Sequence, residues 1–326
     1  MNREQYAAML KDISEIHKAG GDTAACIAKY NERYKFMYIY NDNVFKILFG
    51  SPENEKITID FLNAVLGFIG SDCINNLAYI NPALPDAFGK SITSDIVATD
   101  QRLDRIVLEV QHIEDDSYNA RLVLYTAKHT IASRIKGEDY ALQNLNLISL
   151  QMFDGFPNSP NYRHSIRFKN QENEEFYDKQ TITLVEIPKF LKGNFTTDNS
   201  RIAEWLRVID GLNNETPVAV PEGTPFALLQ EKAQLSIFTE EFLVSEAMKM
   251  SDHKYELYVE KKHARKEGLE EGRAEGRAKG LTEGADAKAR EMAAAMLADG
   301  DSVEKVVRIS KLPESDVLAI KARLQK

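Results

Sequence analysis

The spacing of apolar residues changes along the chain and separates helical from strand-forming segments. Residues 1–40 carry two amphipathic patterns with Gly20-Gly21 between them, which predicts a pair of accessory helices. Residues 42–67 predict two further helices. In the second, apolar residues recur on one face, and Gly67 follows where a left-handed cap commonly ends a helix.

Strand behaviour begins near residue 92. Residues 92–99 alternate between two sets of side chains, which predicts a strand, and the polar residues 100–104 predict a turn. Residues 106–113 are then almost unbrokenly apolar, as in a central strand buried on both faces. A helix over 117–136, ended by Gly137, and strands over 145–153, 164–168 and 181–187 complete an α/β or α+β domain.

The rest of the chain predicts helices. Residues 199–265 look wholly helical apart from a proline-containing break at 217–225. We therefore expect five segments: accessory helices (1–40), the core domain (41–195), a helical region (196–265), a charged helix or linker (266–290) and a small helical tail (291–326).

Glycines recur at every fourth residue from Gly268 to Gly284 among Glu, Arg, Lys and Ala. Each helical glycine costs about 1 kcal/mol relative to alanine. The stripe therefore indicates either close packing between two such helices, hence a homodimer, or a solvated connector. In the tail, Ser302 can cap a helix and Lys311 stands in the turn of a helix-turn-helix-like pattern. That unit is either a DNA reader or a helical cap for oligomerisation.

Composition excludes several classes of protein. The 326 residues are 43% hydrophobic and 28% charged, as in an ordinary globular protein. No apolar run reaches 18 residues and the N-terminus is polar, so we expect neither a membrane span nor a signal peptide. Two cysteines, Cys26 and Cys73, suit the reducing cytoplasm and exclude a disulfide scaffold or a four-cysteine zinc site. The net charge of −9 counts mildly against coating nucleic acid by bulk charge but leaves room for a nuclease.

The informative chemistry is Asp95, followed fourteen residues later by Glu109-Val110-Gln111. Glu109 and Gln111 project from one face of a strand, and a hairpin-like turn would set Asp95 beside Glu109. Two carboxylates at that range repel each other and raise each other's proton affinity. Mg²⁺, which prefers oxygen ligands, would offset this repulsion by binding both. We expect the two carboxylates, a backbone carbonyl near Val110 and waters to bind it for phosphodiester hydrolysis, with Gln111 orienting the attacking water.

The same residues also have non-catalytic interpretations. Asp95 suits a strand-end cap or a turn, and Glu109 with Gln111 suits a buried hydrogen-bonded pair within the sheet. The spacing of these residues alone therefore does not decide between metal chemistry and structure.

The helix that follows favours the catalytic interpretation. Arg121, Tyr125 and Lys128 share one face, and residues 117–137 contain four basic residues and no acidic one. The basic residues are Arg121, Lys128, Arg134 and Lys136. This face suits a phosphate backbone, and the alternative is a solvated helix surface with no partner.

Several short motifs, taken in order, resemble the Rpn family of recombination-promoting nucleases, also described as transposases of the PD-(D/E)xK nuclease superfamily. They are DNVFKILFG (42–50), DFLNAVL (60–66), SDI (94–96), LEVQ (108–111), RLVLY (121–125) and VEIPKF (185–190). Each motif is unremarkable alone, but their order and spacing together are fairly specific.

The resemblance implies a restriction-endonuclease-like core with a mixed central sheet flanked by helices, followed here by an all-α extension. It implies DNA cleavage with Mg²⁺, or with Mn²⁺ or another hard divalent cation, on Asp95 and Glu109. Gln111 would occupy the usual lysine position, which fits this family's form but leaves the proton acceptor open. Lys46 lies in the opening motif and contacts either phosphate or only solvent.

We therefore expect a cytoplasmic, metal-dependent DNA endonuclease of the recombination or transposase type that forms a homodimer through its C-terminal helices. The alternative is a catalytically weak or inactive relative that binds DNA or serves as an oligomeric interaction protein.

Overall fold

The computed structural model describes most of the chain. The described residues are 1–81, 83–84, 92–112, 114, 117–135, 141–193, 195, 197–251, 265, 273, 276–277, 279–280 and 284–324. They fall into two units, Met1–Lys249 and Met250–Lys326. No helix within the described ranges is long and apolar enough to cross a membrane.

The first unit alternates helices with strands. Its helices are α1 (Arg3–Lys18), α2 (Thr23–Arg33), α3 (Asp42–Gly50), α4 (Glu55–Leu66), α5 (Tyr118–Ala132), α6 (Ile187–Lys192), α7 (Arg201–Asn213), α8 (Pro225–Lys232) and α9 (Glu240–Met250). Its strands are β1 (Leu77–Ile80), β2 (Ala83–Leu84), β3 (Ile92–Thr93), β4 (Ile96–Asp100), β5 (Arg105–Gln111), β6 (Leu145–Gln151), β7 (Arg163–Lys169) and β8 (Glu175–Glu186).

A mixed six-stranded sheet forms the centre of this unit, in the order β1-β4-β5-β6-β8-β7. Strand β5 pairs parallel with β6, and β6 pairs parallel with β8, whereas the other neighbours are antiparallel. Strands β2 and β3 pair separately. The parallel pairs at the centre bring the carboxyl ends of β5, β6 and β8 to one edge of the sheet.

Helix α5, which connects β5 to β6, covers one face of the sheet. Buried residues of β4, β5, β6 and β8 pack there against Tyr118 and Leu122 of α5; they are Val97, Val107, Leu145, Leu147 and Leu184. Since side chains alternate between faces along a strand, Glu109 and Gln111 lie on the same face as Val107.

An aromatic cluster joins the helices of the unit. Phe45 and Phe49 of α3 stack with ring centroids 4.3 Å apart, and Phe61 of α4 meets Trp205 of α7 at 5.5 Å. The indole of Trp205 is fully buried and donates to Asp60 at 2.7 Å, as a buried Trp N–H usually requires. Helices α7 and α4 therefore share one core.

Asn41 caps α3 by accepting from the backbone N–H groups of Asn43 and Val44, which fixes the start of the helix that carries Lys46.

The single strand predicted over residues 92–99 is wrong in one respect, because Ser94 and Asp95 lie between two separate strands, β3 and β4. There the side chain of Asp95, rather than a backbone carbonyl, accepts a hydrogen bond from β5. Strand β8 begins at Glu175, earlier than expected, and the residues from 170 to 174 form its turn with β7. The region after residue 199 is interrupted after α7 and again after α8. Gly137 and residues 252–264 lie outside the described residues.

The second unit contains a helical stretch over 284–298 (α10), followed by α11 (Val303–Ser310) and α12 (Glu314–Leu324). Ala293, Val306, Leu312 and Val317 form its buried core. Ser302 caps α11 by accepting from the N–H of Lys305, as predicted. Lys311 ends α11 at φ +56°, a left-handed position that glycine more often takes.

Of the glycine stripe, Gly268 and Gly272 lie outside the described residues. Within the described part of the chain, a Cβ at Gly276, Gly280 or Gly284 would meet no atom within 4 Å.

Candidate active site

The ends of β4 and β5 bring two carboxylates together. The antiparallel register pairs Ile96 with Leu108, so one more step along it sets Asp95 opposite Glu109. The Asp95 N–H donates to Glu109 Oε1 at 3.3 Å, and the Val110 N–H donates to Asp95 Oδ2 at 2.9 Å. The expected meeting of Asp95 and Glu109 is therefore present, and it rests on the backbone of two adjacent strands.

The pair is poorly compensated within the chain. Burial raises the pKa of Glu109 well above its usual range, and the charge of Asp95 raises it further. Burial likewise raises the pKa of Asp95, although the Val110 N–H and Lys46 act in the opposite direction. Desolvation is thus the main cause of both shifts, and the charge of the neighbouring carboxylate adds to that of Glu109.

Lys46 reaches this pair from α3. Its Nζ lies 3.0 Å from Asp95 Oδ1, and 36% of its side chain is exposed. Burial works against the ammonium group, but the charges of Asp95, Asp42 and Glu109 outweigh it and raise the pKa of Lys46. The structure thus joins Lys46 directly to the carboxylates, a contact that the sequence alone did not predict.

Gln111 lies at the carboxyl end of β5, half-buried, two residues after Glu109. The parallel register aligns it with Gln151 of β6 and aligns Glu109 with Ser149. Tyr118 of α5 hydrogen-bonds to Ser149 and to Gln151. A polar row therefore continues from the carboxylates across the sheet.

The three predicted substrate residues of α5, Arg121, Tyr125 and Lys128, are all half-buried. The Arg121 guanidinium lies 5.4 Å from the ring centre of Tyr118. Burial raises the pKa of Tyr125, and the charges of Glu109 and Asp95 add to it, so Tyr125 lies within electrostatic range of the pair. The exposed positions of α5 include the apolar Val123, Leu124 and Ile131, so Arg121 and Lys128 do not lie on its most exposed face.

A second group of polar side chains lies under the site. Ser94 Oγ is 3.0 Å from His129 Nε2, and Arg105 Nη1 is 3.4 Å from His129 Nδ1. The Ser94 hydroxyl also hydrogen-bonds to Glu109 and lowers the pKa of that carboxyl. Sequence reasoning missed these three residues, since the packing of α5 on β5 joins positions that no motif spacing connects.

The donor set suits a hard cation. The available ligands are two carboxylates and the Val110 carbonyl, which faces the end of β4 because the N–H and C=O of one residue in an antiparallel pair point to the same neighbour. Within the described ranges, no group of three or more His, Cys, Asp or Glu side chains could hold a metal ion. A cation there would therefore take part of its shell from water or substrate, as Mg²⁺ commonly does.

A mixed sheet flanked by helices, with an acidic pair at the ends of two adjacent strands, defines a PD-(D/E)XK core. Residues 39–271 match the family model of the PD-(D/E)XK nuclease family transposase, and because they span more than half of the chain, the protein belongs to this family. Membership gives the chain a nuclease-type function. No curated protein and no solved structure matches the chain.

Proposed function

We propose that the protein is a metal-dependent DNA endonuclease in which Asp95 and Glu109 hold a divalent cation. The observation that carries the proposal is the acidic pair, which the strand register forces together in a desolvated space. Two buried carboxylates that raise each other's proton affinity are unfavourable in the absence of a positive partner. Lys46 supplies one positive charge, so a divalent cation would complete the compensation.

Mg²⁺ is the cation that fits this donor set best, with Mn²⁺ as a close substitute. Asp95, Glu109 and the Val110 carbonyl would be its protein ligands. When bound, such an ion polarises a phosphate and lowers the pKa of a bound water.

The remaining residues would position the substrate. Lys46 would exchange its contact with Asp95 for a phosphate oxygen, because its ammonium reaches the pair from the partly exposed side of α3. Arg121, Tyr125 and Lys128 share one face of α5, on which Tyr125 lies within electrostatic range of the pair, and they would place the DNA backbone.

Gln111 determines how protons would move. An amide can donate to and accept from water, so Gln111 would orient the attacking water. It cannot take up a proton, unlike a neutral amine at that position. The proton of the water would therefore leave to a phosphate oxygen or to bulk solvent.

The test is nicking of supercoiled plasmid in Mg²⁺, comparing wild type with Asp95→Asn and Glu109→Gln, which keep the size of each side chain. Loss of one ligand should slow nicking about 10²–10³-fold, the size of effect seen when a stabilising group is removed from a transition-state site. Glu175→Gln, an exposed carboxylate on β8, should leave the rate unchanged.

The alternative function predicts a different pattern. An inactive relative would not nick plasmid, but it would retard DNA in a gel, and neither substitution would change that retardation. Equal nicking by all the proteins would reject the proposed ligands.

We also propose that the protein is a homodimer through its C-terminal helices. Among the described residues, a Cβ at Gly276, Gly280 or Gly284 would meet no atom within 4 Å, which leaves room for a second copy along that side. Deleting residues 266–326 should yield a protein that sediments as a monomer, whereas a truncated protein that still sediments as a dimer would contradict the proposal.

A further inference from the structure

Three polar side chains form a buried line that ends on Glu109. Arg105 and Glu109 share a face of β5, His129 comes from α5, and Ser94 precedes β4. Ser94 and His129 are 0% exposed and Arg105 is 9% exposed. Burying polar groups to this degree costs free energy unless hydrogen bonds compensate it.

The chemistry of the three groups gives the line one direction. A guanidinium has only N–H donors, so Arg105 Nη1 donates to His129 Nδ1 across 3.4 Å. His129 then carries its hydrogen on Nε2 and donates it to Ser94 Oγ across 3.0 Å. Because that oxygen is already accepting, the Ser94 hydroxyl hydrogen is directed to the Glu109 carboxylate.

Burial and charge keep the histidine neutral. Burial, followed by the nearby charge of Arg105, lowers the pKa of His129 to about 4. A neutral ring with an occupied Nδ1 has only one hydrogen to give. The direction of the line is therefore fixed over the neutral pH range.

We propose that Arg105, His129 and Ser94 are positioning residues that hold the Glu109 carboxylate as an oriented acceptor beside Asp95. This inference rests on the proposed function, because orientation matters most if Glu109 binds a cation. Partners that orient a metal ligand typically change metal affinity 10–100-fold when removed. None of the three residues is proposed to touch the substrate.

The first test observes the direction of the line in the full-length, metal-free protein. Long-range ¹H–¹⁵N correlation spectra distinguish the two neutral tautomers of histidine from the charged ring, and comparison with His129→Gln assigns the signal among the six histidines. We expect a neutral ring with its hydrogen on Nε2 between pH 6 and 8. A hydrogen on Nδ1, or a charged ring at pH 6, would overturn the proposal.

The second test measures Mn²⁺ affinity by calorimetry, with Glu109→Gln defining the specific site. Ser94→Ala and His129→Leu should bind Mn²⁺ about 10–100-fold more weakly than wild type. His129→Gln should stay within about threefold of wild type, because an amide can accept from Arg105 and donate to Ser94. His17→Leu, on the exposed side of α1, is the matched control and should bind like wild type.

The outcomes separate this inference from the proposed function. If wild type binds Mn²⁺ and Ser94→Ala binds it equally well, the positioning role of Arg105, His129 and Ser94 is wrong, whereas the proposed metal site is supported. If His129→Gln is as weak as His129→Leu, His129 has only a packing role. If wild type binds no Mn²⁺, the proposed function fails. The tautomer of His129 then remains as the test of the direction of the buried line.

Discussion

Two glutamates on the same face of the sheet are compensated in opposite ways. Glu109 lies two residues before the end of β5, beside a second carboxylate, whereas Glu186 ends β8 beside the ammonium group of Lys189. Glu186 is 0% exposed, contacts Lys189 Nζ, and has His164 Nε2 at 3.3 Å. It also accepts from the N–H of Phe156 at 2.9 Å.

Lys189 completes this second arrangement by donating to the carbonyl of Phe156 at 2.8 Å. Glu186 and Lys189 thus hold both backbone groups of one residue in the loop after β6. The chain therefore places a lysine and a backbone N–H of its own beside Glu186, whereas it places a second carboxylate beside Glu109. The difference shows that a buried carboxylate can either fix a loop or remain available to a partner from outside the chain.

The largest expected effect on stability is that of Glu186→Gln. Removing this charge leaves Lys189 with only 12% of its side chain exposed and no carboxylate beside it, and breaking a buried pair in this way costs about 3 kcal/mol. Urea unfolding in the absence of divalent cations should show this loss.

Glu175→Gln is the matched control, since its pair with Arg167 is exposed and should change stability by less than about 1 kcal/mol. A loss at Glu186 no larger than this control would remove the distinction between the two glutamates.

His129 gives the next effect, through pH. The folded protein keeps this ring neutral down to a pKa of about 4, whereas an unfolded histidine takes up a proton near pH 6.5. The unfolded state therefore binds more protons between these values, and stability falls as the pH drops through this window. The loss from this group should be about 2 kcal/mol between pH 7.5 and pH 5.

His129→Gln carries no titrating ring and should lose about 2 kcal/mol less than wild type over the same interval. Urea unfolding at both pH values measures the difference. Parallel losses in the two proteins would show that His129 is charged in the fold or solvated.

The remaining effect has the opposite sign to that of Glu186. Burial and the charge of Asp95 raise the pKa of Glu109 to about 8 in the fold, so at pH 7.5 ionisation of this group in the unfolded state favours unfolding. Glu109→Gln cannot ionise and should raise the free energy of unfolding without divalent cations. Added Mn²⁺ should raise the melting temperature of wild type but not of this variant. A destabilised variant would mean that the pair is already compensated by the chain.

The sequence was sufficient for the elements that carry a clear period. The apolar run of β5 and the one-sided pattern of α4, with Gly67 at φ +73° after it, follow from local rules. The meeting of Asp95 and Glu109 was also predictable, because a short turn between two antiparallel strands leaves little choice of register.

Other features depend on packing that no short pattern records. The first half of β8 is largely exposed and sets the adjacent Phe176 and Tyr177 among polar residues, so it shows no apolar alternation. Ser94 and His129 are 35 residues apart, and only the docking of α5 on the sheet joins them. The half-buried orientation of Arg121 and Lys128 was missed because a count of charges does not reveal which face of a helix meets the core.

The most direct test of the account is a crystal structure of the protein soaked with Mn²⁺, recorded near the manganese absorption edge. The account predicts an anomalous peak in contact with carboxylate oxygens of both Asp95 and Glu109, with Lys46 displaced from Asp95. A map with no peak there, or with manganese only at other sites, would contradict it.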